Sequence, residues 1–462
     1  MENLIISSSH PRLSDVLSLV NKQESFLRDF VLSISLDISP QTFDALLGSV
    51  AQLNSIKRLF EDDTLSVIFH NQKDNSFWIR KADLPQSFEE LSLEMICKSI
   101  TDRGKKIKKM PKAPKPLALF FPQYHPIPQN DYFWGEGFTE WTLLKPCTIK
   151  GIRKPLSWEE GGLGYYHLLD YEVRKRQAEI AKRAGVYGFV YYHYWFTGEG
   201  APADHKVMYK PLEKMLEDGQ PDLPFAISWA NEVWEVRWDK KPAHPVKISQ
   251  TYGNPKEWEE HFYFLLKFFR HPKYICVDGK PMIIIYRPGH MKSMFQPMMA
   301  LWKHLAVENG LKGLHLITTH GYHYRCDRQF EIENPELVDA TFHFWPSTLR
   351  YEKSFIGLAG SVSDITFTPV KKQYWGTYTG FDKRPRQASF RPELISPKKF
   401  QMSLQKTFKE MANSDSDEKE NFLFITSWNE WNEQCLLEPD STLGFAYCDA
   451  LFCELSKYGS SV

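Results

Sequence analysis

From residue 117 onward the chain repeats one pattern: a short, nearly continuous apolar run, a segment with helical spacing, then another run. The runs are Leu117–Phe121, Tyr187–Tyr192, Phe225–Trp229, Met282–Tyr286, Leu314–Thr318, Asp339–His343 and Phe422–Ser427. A strand covered on both faces has no polar side, so it reads as an unbroken apolar run rather than as an alternation. Gln373–Tyr378 is a weaker eighth candidate. Helical spacing fills much of the space between, at Tyr171–Ala184, Met208–Glu217, Trp258–Arg270, Met294–Asn309 and Lys399–Met411. Alternating strand and helix implies a parallel sheet of the α/β class, and eight units predict a closed (β/α)8 TIM barrel. A doubly wound open sheet is the alternative. Neither GxGxxG nor a P-loop follows any run, which counts against it.

At 462 residues the chain holds a barrel of about 250–350 residues and an additional module. Residues 1–102 read as a small α/β or mostly helical accessory module. Its expected helices are Leu13–Leu32, Thr42–Phe60 and Phe88–Ile100, with a strand at Leu65–His70. It carries no catalytic motif and is a candidate surface for a protein partner. Residues 103–116 contain the basic stretch RGKKIKKMPKAPK, a solvated linker or, alternatively, an anion-binding patch. Residues 117–462 form the expected catalytic barrel.

Lys+Arg and Asp+Glu both total 57, so the balance shows no footprint for nucleic acid or an anionic membrane surface. No run of 18 apolar residues predicts a membrane span. The first residues lack the basic and apolar regions of a secretory signal. The seven cysteines form no CxxC and are odd in number, as expected of free thiols in a reducing compartment. The expected location is therefore cytoplasmic.

Polar and aromatic residues gather just past the apolar runs. Gln123, Tyr124 and His125 follow the first, and His193, Tyr194 and Trp195 the second. Asn231 and Glu232 follow Trp229, Tyr286 and Arg287 close the fourth run, His320 follows the fifth and Trp345 the sixth. Trp428, Asn429, Glu430 and Glu433 follow the last. In a parallel barrel these points share the rim on which barrel enzymes build their sites. Phe, Trp and Tyr make up 15% of the chain, and flat rings beside hydrogen-bonding groups suit a sugar.

The sharpest motif is TSWNEWNEQCLLEPD, Thr426–Asp440. Glu430 and Glu433 stand three residues apart, so a helical or tight turn can place both carboxyls on one side. Glycoside hydrolysis needs two carboxyls in different protonation states, and crowding near apolar rings pushes their pKa values apart. A solvated pair at a helix end is the alternative for a bare ExxE. Trp428, Trp431 and the preceding buried strand favour catalysis, and Glu438 joins the candidate binding residues. In SWANEVWEVRWD, Trp229, Asn231, Glu232, Arg237 and Trp238 could form a sugar platform. They could also form a salt-bridged loop in which Arg237 pairs with Glu232 or Asp239. Glu136 and Glu140 could touch substrate or satisfy backbone amides, and His193 could donate to substrate or sit in the core. No HxH or HExxH occurs among 15 histidines, so neither metal nor cofactor is expected. Asp415-Ser416-Asp417 matches a DxD but lies in a polar run that reads as a surface loop.

The ordered segments FFPQYHPIPQNDYFWGEGFTEW, AGVYGFVYYHYWF, DLPFAISWANEVWEVRWD, DGKPMIIIYRP, GFDKRPR and TSWNEWNEQCLLEPD resemble the WbsX-like family. That family is similar to glycoside hydrolase family 99 and is also described as a glycosyltransferase group of polysaccharide gene clusters. The resemblance covers roughly residues 117–455. It implies a metal-free, retaining endo-α-mannosidase chemistry on a (β/α)8 barrel. In that chemistry Glu430 takes the proton of the sugar 2-hydroxyl, which attacks its own anomeric carbon, and Glu433 serves as acid and then base. It also points to Asp382 and Arg386, in GFDKRPR, as binding residues. Two positions depart from the family pattern: Gln434 replaces a usual Gly, and Val233 a common Asn. The expected substrate is an oligosaccharide or polysaccharide with an α-mannose-like linkage. The alternatives are a glycosyltransferase of surface-polysaccharide assembly and an inactive glycan-binding protein.

Overall fold

The computed structural model describes residues 114–235, 247–320, 335–344, 373–413 and 420–458, positions 239, 242 and 244, and four short strands nearer the N-terminus. Those strands, Val31–Leu36, Ser66–Asn71, Ser76–Arg80 and Glu90–Leu91, pair with one another in a single sheet. The first pairing is parallel and the next two antiparallel. Val31–Leu36 begins inside one expected helix and Glu90–Leu91 falls inside another. In the first case the sequence Leu-Ser-Ile-Ser-Leu alternates with the period of a strand. The rest of the three expected helices and residues 103–113 lie outside the described residues.

Eight parallel strands form the barrel: β1 Lys115–Phe120, β2 Gly188–Trp195, β3 Phe225–Trp229, β4 Lys280–Ile285, β5 His315–His320, β6 Ala340–His343, β7 Gln373–Tyr378 and β8 Phe422–Thr426. Each pairs in parallel with the next in sequence. β8 pairs with β1, setting Phe424 against Leu117 and Ile425 against Ala118, and this closes the ring. A closed ladder leaves no edge, and its strands are covered on both sides. That is why β1, β3, β4 and β8 are almost wholly apolar and buried.

The described barrel helices are α1 Tyr171–Arg183, α2 Lys210–Asp218, α3 Pro255–Phe269, α4 Phe295–Glu308, α5 Pro397–Asn413 and α6 Ala446–Ser456. Their ends follow local chemistry. Asn254 caps α3, accepting from the amides of Lys256 and Glu257, while the Glu257 side chain returns a bond to the Asn254 amide. α2 stops at Gly219, whose φ of 77° is one that glycine adopts without strain.

β2 runs three residues beyond the expected strand, so His193, Tyr194 and Trp195 lie within it rather than after it. Strand residues alternate between faces. His193 and Trp195 therefore share one face, where both rings meet His261 and Phe264 of α3. Tyr192 and Tyr194 share the other.

Candidate active site

All eight strands point the same way, so their C-terminal ends converge on one rim. A cavity of about 280 Å³ opens there. Phe121 and Gln123 reach it from the end of β1, Tyr192 and Tyr194 from β2, Tyr286 from β4, and Glu430 and Glu433 from beyond β8.

The two glutamates owe their placement to a tight hairpin. Asn429–Glu430 pairs antiparallel with Cys435–Leu436, and Trp431–Glu433 forms a single 3-10 turn between them. The Glu430 amide donates to Ser427 Oγ at 3.0 Å, and the Ser427 hydroxyl donates to the Cys435 carbonyl, pinning the hairpin base. Gln434 ends the turn at a φ of 52°, a left-handed position that glycine fills most cheaply. Its side chain offsets the cost. Gln434 Oε1 accepts from the Arg153 amide at 2.7 Å, and its Nε2 donates to the carbonyls of Trp431 and Arg153 at 2.8 and 3.2 Å. The departure from the family glycine is thus accommodated locally. Val233, the other departure, presents an apolar group on the cavity wall.

One guanidinium gathers three carboxyls. Arg386 Nη1 donates to Glu433 Oε1 at 2.6 Å, and Nη2 donates to Glu140 Oε2 at 3.0 Å. Nη2 also lies 3.6 Å from Glu430 Oε2. The loop that carries Arg386 is itself braced. Asp382 is fully buried, receives the Arg384 guanidinium at 2.6 Å, and donates its amide to the Glu433 carbonyl at 2.7 Å. Asp239 adds a second brace, donating its amide to the Arg386 carbonyl at 3.0 Å and accepting from the Ala388 amide at 2.8 Å.

The carboxyls are not equivalent. The Glu430 side chain is 11% exposed and that of Glu433 28%. Burial, and next the charge of Glu433, push the Glu430 pKa well above the usual carboxylate range. Arg386 pulls the other way and Glu140 adds to the rise. Burial also opposes the charge of Arg386, yet Glu140, Glu433 and Glu430 outweigh it and hold its pKa above the ordinary arginine value. The result is a site in which one carboxyl is biased towards its protonated form beside another bound to a cation. Among the described residues no group of three or more His, Cys, Asp and Glu is arranged to hold a metal ion.

Of the residues expected from sequence, Gln123, Glu232, Tyr286, Arg386, Glu430 and Glu433 line the cavity. Others brace it. Asn429 bonds both the amide and the carbonyl of Phe121, at 2.7 and 3.0 Å, acting as an extra rung between β8 and β1. Asn231 does the same to Arg287, at 2.7 and 2.8 Å, between β3 and β4. The Arg287 guanidinium holds Glu232 at 3.1 Å. Tyr124 donates to the Asn429 carbonyl, and its ring lies 4.5 Å from that of Trp141. Glu438 accepts from Trp431 Nε1 at 2.6 Å, Gln177 Nε2 at 2.9 Å and the Tyr166 hydroxyl at 3.1 Å, away from the cavity wall.

His193 is a core residue, bonded to His261 at 2.8 Å, and burial lowers its pKa to about 3. His125 is buried against the Pro122 carbonyl at 3.0 Å. Trp195, Trp229, Trp428 and Trp431 are likewise buried and absent from the cavity lining, and Asp382 acts through the Arg386 loop. Arg237, Trp238, Trp345, the His320 side chain and the Asp415–Asp417 motif lie outside the described residues.

Of the remaining wall residues, the sequence reading holds Tyr192 within an apolar run, sets Tyr194 at the rim and names Glu140 as a candidate substrate contact. Tyr192 and Tyr194 were signalled by alternation along β2, since neighbours of a core-facing His193 must face the other way. Glu140 lies far from any strand end. Asn432 holds its carbonyl at 2.7 Å and also donates to its carboxylate, and the Glu140 amide donates to the Gln123 carbonyl at 3.1 Å.

A family model described as Glycosyltransferase WbsX matches residues 116–451. Uncharacterized protein WxcX of Xanthomonas campestris pv. campestris (strain B100) is 30% identical over 357 residues, covering 72% of this chain and 48% of WxcX. The WxcX of strain ATCC 33913 gives the same figures, so the chain spans about half the length of these curated relatives. Among solved structures, a glycoside hydrolase-like protein aligns with a TM-score of 0.49 at 13% identity, over 76% of this chain and 95% of its own. The GH99 endo-alpha-mannosidase from Bacteroides thetaiotaomicron aligns with a TM-score of 0.43 at 12% identity, over 74% and 96%.

Proposed function

The chain belongs to the WbsX glycosyltransferase family, and on that premise we propose that it is a glycan-active enzyme, specifically a retaining, endo-acting glycoside hydrolase for an α-mannose-like linkage. The observation that carries this reading is the triple engagement of Arg386, which brings Glu433, Glu430 and Glu140 to one wall of a cavity at the barrel mouth. The aromatic rings of Phe121, Tyr192, Tyr194 and Tyr286 supply flat faces for a sugar on the same wall.

The chemistry needs one proton shared between two carboxyls. A base removes the proton of the 2-hydroxyl, O2 displaces the leaving oxygen from C1, and an acid protonates that oxygen. A 1,2-anhydro sugar results. Water then adds at C1 while the former acid accepts a water proton, and the former base returns its proton to O2. Two inversions at C1 give net retention. The family resemblance gives the base role to Glu430 and the acid role to Glu433. The electrostatics of the site favour the proton on Glu430, with Arg386 binding Glu433. Strongly interacting carboxyls titrate as a unit. We therefore assign the single proton to the pair, and the glycan hydroxyls that reach it select the donor.

The family's description favours a second reading, transfer from an activated sugar. Against it, the described cavity wall sets Glu140, Glu232, Glu235, Glu430 and Glu433 beside Arg386. Arg386 is already bound to Glu433 and Glu140, and Arg287 to Glu232, so both guanidiniums are engaged by carboxyls rather than turned to the diphosphate of a nucleotide sugar. The test is incubation with α-linked mannan and no nucleotide sugar. Hydrolysis predicts new reducing ends, first seen by NMR as the α-anomer. Turnover only when a nucleotide sugar is added would select transfer.

A further inference from the structure

Glu140 stands in the middle of this machinery without a role in the two-carboxyl scheme. It is fully buried, and its Oε2 accepts from both Arg386 Nη2 and Asn432 Nδ2. A carboxyl that backs the cavity wall but has no accessible surface is poorly placed to meet a sugar. It is well placed to hold a cation. Asn432 sits between Trp431 and Glu433 in the hairpin, so the catalytic turn and the Glu140 loop are tied through the same amide.

We infer that Glu140 is a positioning residue: clamped by Asn432, it anchors one nitrogen of Arg386 so that the guanidinium is split between two glutamates instead of collapsing onto the catalytic pair. Without that anchor, Nη2, already 3.6 Å from Glu430 Oε2, need move by less than about 1 Å to reach full contact with an oxygen that has no hydrogen-bond donor among the described residues. Full contact would stabilise the charged form of Glu430 and strip the pair of its shared proton. Among the described residues, the charged groups facing Glu430 are Glu433, Arg386 and Glu140. The phenols of Tyr124, Tyr192 and Tyr194 and the Cys435 thiol also face it, all with pKa values raised first by burial. Removing the Glu140 charge and freeing Arg386 both act in one direction, towards an ionised Glu430.

This inference rests on the proposed pair, and its test is chosen to be independent of turnover. In protein labelled with 13C at the glutamate side-chain carboxyls, the Glu430 signal is identified by its absence in Glu430→Gln. Its titration is then followed in the wild-type protein and in Glu140→Gln. The expected result is a midpoint lower by roughly half a pH unit or more in Glu140→Gln. Asn432→Ala, which keeps every charge but releases the clamp, should move it in the same direction by less. It supplies the test on its own if Glu140→Gln fails to fold. An unchanged midpoint in either folded variant overturns the inference. A failure of the hydrolase reading would show separately, as absent mannan cleavage by wild-type protein whose Glu430 still titrates as described.

Discussion

Glu430 and Glu438 lie eight residues apart, the first on the hairpin and the second just past its end, both are buried, and burial raises the pKa of both. Their surroundings differ. Glu438 receives three donors, from Trp431, Gln177 and Tyr166, and is not among the residues that line the barrel-mouth cavity. Glu430 faces a cavity, two other carboxyls and a guanidinium at 3.6 Å, and its Oε2 has no hydrogen-bond donor among the described residues. Burial alone does not mark a catalytic acid. A carboxyl whose lone pairs are all met serves the fold, whereas one left short of donors beside like charges is held ready to move a proton.

The sharpest way to break this contrast is to remove each carboxyl's charge in turn. Glu433→Gln and Glu430→Gln should each lower mannan cleavage by about a hundredfold or more while leaving the urea midpoint nearly unchanged. Glu438→Gln should do the reverse. It turns an amide N–H towards a donor and costs about 1–3 kcal/mol of stability by urea titration, with near-normal turnover in the folded fraction. Equal effects on stability from all three would erase the distinction.

The contrast extends to pH. Burial raises the Glu438 pKa to about 7, opposed by its hydrogen bonds from Gln177, Trp431 and Tyr166. The folded protein therefore holds this proton more tightly than the unfolded chain. Its contribution to stability is complete below the ordinary carboxyl value near 4.5 and is lost as pH rises through about 7. Urea stability of the wild type should fall between pH 5 and 8 more steeply than that of Glu438→Gln. Glu430 carries a shift of the same sign, so cleavage should decline on the alkaline side as its proton is lost. The smallest effect expected is at the turn between the two acids. Gln434→Gly relieves a φ of 52° but gives up three side-chain hydrogen bonds, a net loss of about 1 kcal/mol.

The apolar runs made the barrel legible, because doubly covered strands have no polar face to hide. Even the weak Gln373–Tyr378 run forms β7. Glu430, Glu433 and Arg386 were legible too, the first two from their setting and the last through family resemblance. Binding roles were assigned too freely to residues at strand ends. Asn231 and Asn429 look like sugar ligands in one dimension, yet both complete the backbone ladder between neighbouring strands. His193 and Trp195 seemed to follow β2, whereas the strand continues through them and turns them towards α3. Glu140 stood out as a possible substrate contact or backbone-amide acceptor, but neither reading reached its partners, which lie 246 and 292 positions away in the chain.

The most direct test of the central claim is the release of reducing ends from α-linked mannan, without nucleotide sugar, by wild-type protein, Glu430→Gln and Glu433→Gln side by side. A glutamate pair at one cavity predicts cleavage by the wild type and a loss of about a hundredfold or more in each variant. Cleavage at the wild-type rate by either variant would contradict it.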